Sequence, residues 1–544
     1  MFGNMMHRPL SIIEILRFAV EAHPKAEVVS VRTEGDIHRY TYPECYSRVG
    51  KLAHALAKLG VKTGDRVATL AWNGYRHFEL YYAIAGIGGV CHTLNPRLSA
   101  EQMIYITNHA EDRVMFLDTT FVPVIEALAD KFPKDMQYVV MTDRAHMPKS
   151  GLNLLCYEDL IQDEAEEYDW PELPEETAAG LCYTSGTTGN PKGALYSHRS
   201  TVLHAFTAAI SISDGLKEGA RVLPVVPLFH VNAWGLPYAA PLTGASLIFP
   251  GGALDGASLF DLMDREKVTS AWGVPTVWLG LQSEISSRGR NPEGFASIIV
   301  GGSAAPRSLI SAFEKSGVTV CHAWGMTEMS PVGTHGILSA HHKDTLSKEE
   351  LLDLKALQGR RVFGVELKIV DENGNRLPHD GEEAGELFVR GNTIISSYFN
   401  DTEATKAAMD ADGWFGTGDV ASINDEGFLI IQDRAKDLIK SGGEWISSID
   451  LENIVMAHPE VVSCAVIAVA HPKWDERPLL IIVPADVVRV AKEDIDALLL
   501  DHVAKWQLPD AIEFVDELPL TATGKVSKLT LRKQFADYKL PDMK

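Results

Sequence analysis

Residues 178–193 read Ala-Ala-Gly-Leu-Cys-Tyr-Thr-Ser-Gly-Thr-Thr-Gly-Asn-Pro-Lys-Gly. The apolar run 178–183 has the composition of a buried strand, and 198–212 has helical character. Between them lie Gly186, Gly189 and Gly193, the hydroxyls of Thr184, Ser185, Thr187 and Thr188, and the cation of Lys192. Glycines let backbone N–H groups approach a ligand, hydroxyls add donors, and the lysine adds a compact positive charge. A loop of this kind between a strand and a helix suits a polyphosphate. It lacks the Gly-Lys-Ser/Thr ending of the P-loop NTPases, so it is a different phosphate cradle.

Outward from that loop, strand and helix signals alternate. An amphipathic helix at 11–22, a hairpin at 28–42 and a helix at 43–59 come first. A strand at 65–70, a helix at 77–86 and further alternation at 114–141 and 222–320 follow. Such alternation means βαβ units and a mainly parallel sheet. Segments 367–369 and 386–389 read as antiparallel strands of a smaller β unit. After Arg434 the pattern becomes helix 448–457, strands 461–469 and 479–483, and helix 492–503. The fold expectation is therefore α/β. A large N-terminal domain of βαβ sheets with a small β unit spans 1–433, and a smaller, mobile C-terminal α/β domain spans 434–544. The acidic stretch 163–176 reads as a solvated linker.

Composition bounds the function. The 544 residues carry 50 Lys and Arg against 73 Asp and Glu, a formal charge of −23. Mean hydropathy is −0.03. That balance excludes wholesale disorder and gives no electrostatic footprint for general nucleic-acid binding. No uncharged apolar run reaches the roughly 18 residues that span a bilayer. The N-terminus shows no secretory cleavage pattern. Six cysteines without a CxxC pair read as thiols of a reducing cytosol.

Six segments, in order, resemble the motifs of the adenylate-forming superfamily, which covers acyl- and aryl-CoA ligases, luciferases and peptide-synthetase adenylation domains. The loop 184–193 resembles its phosphate loop. Trp324-Gly325-Met326-Thr327-Glu328 resembles the adenine motif, with Trp where the family usually has Tyr. Gly416-Thr417-Gly418-Asp419 resembles the ribose motif. Asp433-Arg434-Ala435-Lys436-Asp437 resembles the hinge, Lys440-Ser441-Gly442-Gly443-Glu444 the glycine segment after it, and Thr523-Gly524-Lys525-Val526 the C-terminal lysine loop. The family's proline-rich turn is degraded to Gly359-Arg360-Arg361-Val362-Phe363-Gly364.

The resemblance implies roles. Ser185, Gly186, Thr187, Thr188, Gly189 and Lys192 would hold the phosphates of ATP. Thr184 and Glu328 would hold Mg²⁺ as hard oxygen ligands. Trp324, Gly325, Met326, Thr327 and Gly302 would lie along the nucleotide, with Trp324 beside the adenine and its departure reshaping the acyl pocket nearby. Asp419 would accept the ribose hydroxyls, with Arg434 donating nearby. Lys525 would bridge the acid's carboxylate and the α-phosphate. Lys436 would be the pivot, and Lys440, Gly442, Gly443 and Trp445 would face coenzyme A.

Three segments resemble ligases of the fatty-acid type. They are 230–235, where Trp234 would gate an acyl tunnel, 441–447 on the coenzyme A side, and the small-residue wall 301–305. His230 is grouped with the catalytic residues. His230, Trp234, Gly301, Gly302, Trp324 and Pro331 would line the acid. The expectation is an acid:CoA ligase using ATP, Mg²⁺ and coenzyme A, acting on short to medium carboxylic acids such as 3-(methylthio)propionate. It would be a cytoplasmic homodimer that binds no nucleic acid. A medium- or long-chain fatty acyl-CoA ligase, an adenylating enzyme that does not use coenzyme A and a non-catalytic nucleotide-binding protein are the alternatives. Two other signals lack support. Gly416–Ala421 fits a dinucleotide pattern but lacks a strand before it and a helix after it. Cys321, His322, His335, His341 and His342 follow no zinc spacing and read as loop residues.

Overall fold

A computed structural model describes every residue except Phe2, 185–189, Asp214, Gly443, 486–489, 522–523 and 542–544. Two large sheets dominate the N-terminal part. One has seven strands and centres on Arg66–Leu70, Val90–Thr93, Val114–Leu117 and Ala178–Thr184, all parallel. The other has nine strands. Its parallel middle runs through Arg221–Pro224, Ser246–Phe249, Ser270–Gly273, Ser297–Val300 and Thr319–Gly325. Most of these strands are short, apolar and buried on both faces, as parallel strands covered by helices must be. The hairpin expected at 28–42 forms as Glu27–Val31 against Ile37–Thr41, on the edge of the nine-stranded sheet.

A four-stranded antiparallel meander follows, Val365–Val370, Gly385–Gly391, Phe415–Ile423 and Leu429–Arg434. The chain then builds a separate five-stranded sheet around the paired strands Val461–His471 and Asp475–Pro484. The protein is thus mixed α/β, with a large N-terminal and a smaller C-terminal domain, as the sequence implied.

Three expectations need correction. The phosphate-loop segment is not a strand-to-helix turn. Lys192–Ser197 is itself a strand, antiparallel to Ala178–Thr184 with Thr184 opposite Lys192. The helix His198–Ser211 starts only after Ser197, whose hydroxyl accepts from the Ser200 N–H. Second, the acidic stretch is irregular and mostly exposed, as a solvated linker should be, yet it is not free of the domain, because two of its side chains pin it. Trp170 covers Gly86, where an added Cβ would lie 2.5 Å from the indole. Its Nε1 donates to the Tyr46 hydroxyl at 2.9 Å, and Glu175 accepts from the Leu10 N–H at 3.0 Å. Third, Cys321, His322 and His335 are strand residues, and His341 and His342 lie on the short helix Ala340–Thr345. Cys321 Sγ and His335 Nε2 are 2.8 Å apart. Among the described residues no group of three or more His, Cys, Asp or Glu side chains is arranged to hold a metal. Among them, too, no helix is long and apolar enough to cross a membrane.

Candidate active site

The lysine loop of the C-terminal domain reaches into the N-terminal domain. The Thr276 hydroxyl donates to the Gly524 carbonyl at 3.3 Å. Lys525 extends along Gly302, where an added Cβ would sit 3.4 Å from its Cε and 3.8 Å from its Nζ. Burial, then the neighbouring Arg434 cation, push the Lys525 ammonium down to about 8, against the opposing pull of Asp419. Burial, and after it Lys525, push the His230 imidazole down to about 3, so His230 is neutral and can accept. The structure thus brings together Lys525, Gly302, His230, Asp419 and Arg434 from segments up to about three hundred residues apart.

Asp419 lies on strand Phe415–Ile423, in register with Arg434 on the neighbouring strand. Arg434 Nε is 2.8 Å from Asp419 Oδ1. The indole N–H of Trp324 donates to Asp419 Oδ2 at 3.1 Å. Burial pushes the Asp419 carboxyl up, and Arg434 and Trp324 hold it down. The tryptophan that departs from the family's usual tyrosine is therefore tied to the carboxylate expected at the ribose.

Glu328 sits in the 3-10 turn Thr327–Met329 and is only 5% exposed. Its Oε1 accepts from the Tyr398 hydroxyl at 2.7 Å, and its carbonyl accepts from the Ile395 N–H at 2.9 Å. Lys192 Nζ stands 5.1 Å from the Tyr398 ring centroid. Strand Ala178–Thr184, which ends in Thr184, packs against this turn. Burial raises the Glu328 carboxyl, with Tyr398, Arg434 and Lys192 opposing. A buried carboxylate and a hydroxyl are hard donors, and the charge that burial penalises on Glu328 is one a dication would offset. The residues fit Mg²⁺. Gly325 is required here, because an added Cβ would lie 2.0 Å from the Pro331 carbonyl. Tyr398 was invisible in the sequence. It falls in no motif, 70 residues from its partner, and only the meander brings it there.

On the side expected to meet the acid the backbone is unusual. Val231, Asn232, Ala233 and Trp234 have φ of 47°, 52°, 46° and 57°, and Gly235 has 78°. Left-handed backbone costs a non-glycine residue about 1–2 kcal/mol. Buried polar contacts hold the turn. Asn232 Oδ1 accepts from the Tyr81 hydroxyl at 3.1 Å and from the Cys182 thiol at 3.4 Å. Asn73 accepts from the Leu228 N–H and donates to the Pro224 and Val226 carbonyls. The turn lays the Trp234 indole over Gly301, where an added Cβ would meet Cη2 at 3.1 Å and the Ala323 carbonyl at 2.9 Å. Pro331 and Met326 are tied by a Met326 N–H bond to the Pro331 carbonyl at 3.1 Å.

On the side expected to meet coenzyme A, Lys436, Lys440, Gly442 and Trp445 are exposed. Lys440 Nζ is 5.8 Å from the Trp445 ring centroid. A cavity of about 670 Å³ opens beside Gly442 and is walled by Trp474, Arg477, Lys505, Trp506 and Asp510. None of these wall residues was singled out in the sequence, because they fall in two separate segments outside the motifs. Ser185, Gly186, Thr187, Thr188, Gly189 and Gly443 lie outside the described residues.

With this geometry in hand, comparisons with known proteins fix the class. The AMP-binding enzyme family matches residues 16–399, and its C-terminal domain matches 450–525. The chain belongs to the AMP-binding enzyme family. It is 50% identical to a medium-chain-fatty-acid–CoA ligase of Ectopseudomonas oleovorans, over 99% of this chain and 98% of that one. It is 48% identical to a 3-methylmercaptopropionyl-CoA ligase of Ruegeria lacuscaerulensis, over 99% of each. Its fold matches the crystal structure of an anthranilate CoA ligase in complex with anthranoyl-AMP. There the TM-score is 0.86 at 24% identity, over 98% of this chain and 99% of that one.

Proposed function

We propose that this chain is an ATP-dependent acid:CoA ligase for short to medium carboxylic acids. The observation that carries the reading is the convergence of Lys525 on Gly302, His230, Asp419 and Arg434. The acid's carboxylate attacks the α-phosphorus of ATP, giving acyl-AMP and pyrophosphate. The thiol of coenzyme A then attacks the acyl carbon and AMP leaves. Lys525 places its ammonium where carboxylate and α-phosphate meet and where negative charge builds in the transition state. Asp419 accepts the ribose hydroxyls. Lys192 and the hydroxyls of the phosphate loop bind the β- and γ-phosphates. Glu328 and Thr184 would hold Mg²⁺, which when bound neutralises charge on the phosphates. Neutral His230 lies beside Lys525 and helps orient the carboxylate.

Lys525 lies beside Gly302 and His230, which supports reading this arrangement as the one that adenylation needs. The second step would turn the C-terminal domain, 434–544, about Lys436 relative to 1–433. That turn removes Lys525 and brings in Gly442 and the neighbouring tryptophans. It has to break the bond from the Ser448 N–H to Asp433 Oδ2, 2.8 Å long, which spans the pivot. Gly442 has φ +63°, and an added Cβ would lie 2.8 Å from the Trp474 ring. Gly442→Val should therefore slow the thioester step by roughly tenfold or more, since it forces a side chain into left-handed backbone against Trp474. Adenylation should be nearly unchanged. Rapid-quench assays on synthetic acyl-AMP check this, and unchanged consumption would refute it. Mg²⁺ as the metal, a homodimeric state and a cytoplasmic setting belong to the same proposal. For the setting, support comes from six buried cysteines of which none forms a disulfide.

Two relatives with nearly equal identity are named for different acids, a medium-chain fatty acid and 3-methylmercaptopropionate. Trp234 over Gly301 fills space that a long chain would use. Each buried methylene is worth about 0.8 kcal/mol until the pocket is full. Measured kcat/KM should rise along the linear acids, peak at or below about C8, and fall beyond, by the same area argument. 3-(Methylthio)propionate should be accepted at a rate comparable with acids of its length. Preference for palmitate over butyrate and 3-(methylthio)propionate would replace this reading with a long-chain ligase. Pyrophosphate release that never needs coenzyme A in steady state would replace it with an adenylating enzyme of another kind.

A further inference from the structure

Asp419 Oδ1 accepts from Arg434 Nε at 2.8 Å and Oδ2 accepts from Trp324 Nε1 at 3.1 Å. Asp419 is 2% exposed, and its backbone N–H donates to Thr417 Oγ1. An ionised carboxylate offers about four lone-pair positions, so these two bonds leave one on each oxygen. A cis-diol supplies two hydroxyl donors, one for each remaining position. The two protein donors also fix the carboxylate's rotation, since either alone would leave it free to turn about its last torsion.

We propose that Trp324 is a positioning residue for the ribose. Its indole N–H presets the plane of the Asp419 carboxylate, so that both hydroxyls of the sugar are read at once. A phenylalanine would keep an aromatic face for the adenine but would release Oδ2. A tyrosine has its donor at the ring's far end, in another direction. The inference rests on the assignment of Asp419 to the ribose made above.

Two further features support the geometry. The indole is locked from behind, because an added Cβ on Gly333 would lie 2.8 Å from Trp324 Cζ3. The Trp324 bond is also among the interactions that oppose the upward push of burial on the Asp419 carboxyl. The loss of the bond therefore frees the direction of the carboxylate and removes one of the contacts that counter its burial.

The test is equilibrium binding of AMP, 2′-deoxy-AMP and 3′-deoxy-AMP to the full chain, wild type and Trp324→Phe, by calorimetry. In the wild type each missing hydroxyl should weaken binding several-fold, as lost bonds to a charged acceptor do. In Trp324→Phe, AMP should bind roughly fivefold or more weakly, with the deoxy penalties shrinking toward unity, because the carboxylate is no longer aimed. Lost stacking alone would weaken all three nucleotides by one factor and leave their ratios intact, and that outcome overturns the inference. If the wild type itself does not distinguish AMP from its deoxy forms, the ribose assignment of Asp419 fails, and the inference with it. A second measurement needs no variant. The indole N–H resonance of Trp324 in ¹⁵N-labelled protein should shift on binding AMP and shift less with 2′- or 3′-deoxy-AMP. Equal shifts with all three would overturn the proposal.

Discussion

Lys525→Ala lowers acyl-adenylate formation by about 10²- to 10³-fold, the effect of deleting a preorganised charge at the transition state. Consumption of synthetic acyl-adenylate with coenzyme A should stay near the wild-type rate, because Lys525 serves only the first arrangement. The pH dependence carries the same signature. Burial and Arg434 hold the lysine down to about 8. It is charged below that pH and loses its proton above. The kcat/KM for ATP in adenylation reports ionisations of the free enzyme and should fall above pH about 8. The alkaline limb should vanish in Lys525→Ala. Rapid-quench measurement of each half-reaction decides. Equal damage to both steps would remove Lys525 from the first step alone.

Glu328→Gln weakens both Mg²⁺ affinity and adenylation. A neutral amide is a poor ligand for a hard dication, and even partners that only orient a ligand cost about 10- to 100-fold when lost. Tyr398 orients Glu328 through a 2.7 Å bond. Tyr398→Phe should therefore show a smaller loss in the same direction, recovered in part by raising Mg²⁺. Titration of adenylation rate against Mg²⁺ in the three proteins checks the order wild type, Tyr398→Phe, Glu328→Gln. If Glu328→Gln keeps the wild-type metal requirement, the ligand assignment is wrong.

The residues proposed to carry chemistry stand out in the sequence because they sit in short motifs whose spacing is set by local geometry. Asp419 and Arg434 lie on adjoining antiparallel strands, and the motifs that hold them are contiguous. The alternation that gave the βαβ sheets was legible for the same reason, since each strand and helix shows its own period. Contacts between distant segments were not. Tyr398 meets Glu328 because of the meander's path, Trp324 meets Asp419 across 95 residues, and Trp170 covers Gly86 from a stretch whose charges hid its aromatics. The left-handed turn 231–234 was equally hidden. Nothing in Val-Asn-Ala-Trp favours positive φ except the asparagine, whose side chain is held by Tyr81 and Cys182 from distant segments. The strand that starts at Lys192 depended on a pairing between Thr184 and Lys192 that a purely local reading takes for a loop.

The central claim is that one chain first adenylates an acid and then passes it to coenzyme A. The most direct measurement is pyrophosphate release from radiolabelled ATP with Mg²⁺ and octanoate or 3-(methylthio)propionate, with coenzyme A withheld and then added. The account predicts a burst of pyrophosphate close to one equivalent per active site, with acyl-AMP retained on the protein. Addition of coenzyme A then starts steady turnover, with acyl-CoA and AMP formed in step. Steady pyrophosphate release that ignores coenzyme A, or no release until coenzyme A is present, would contradict it.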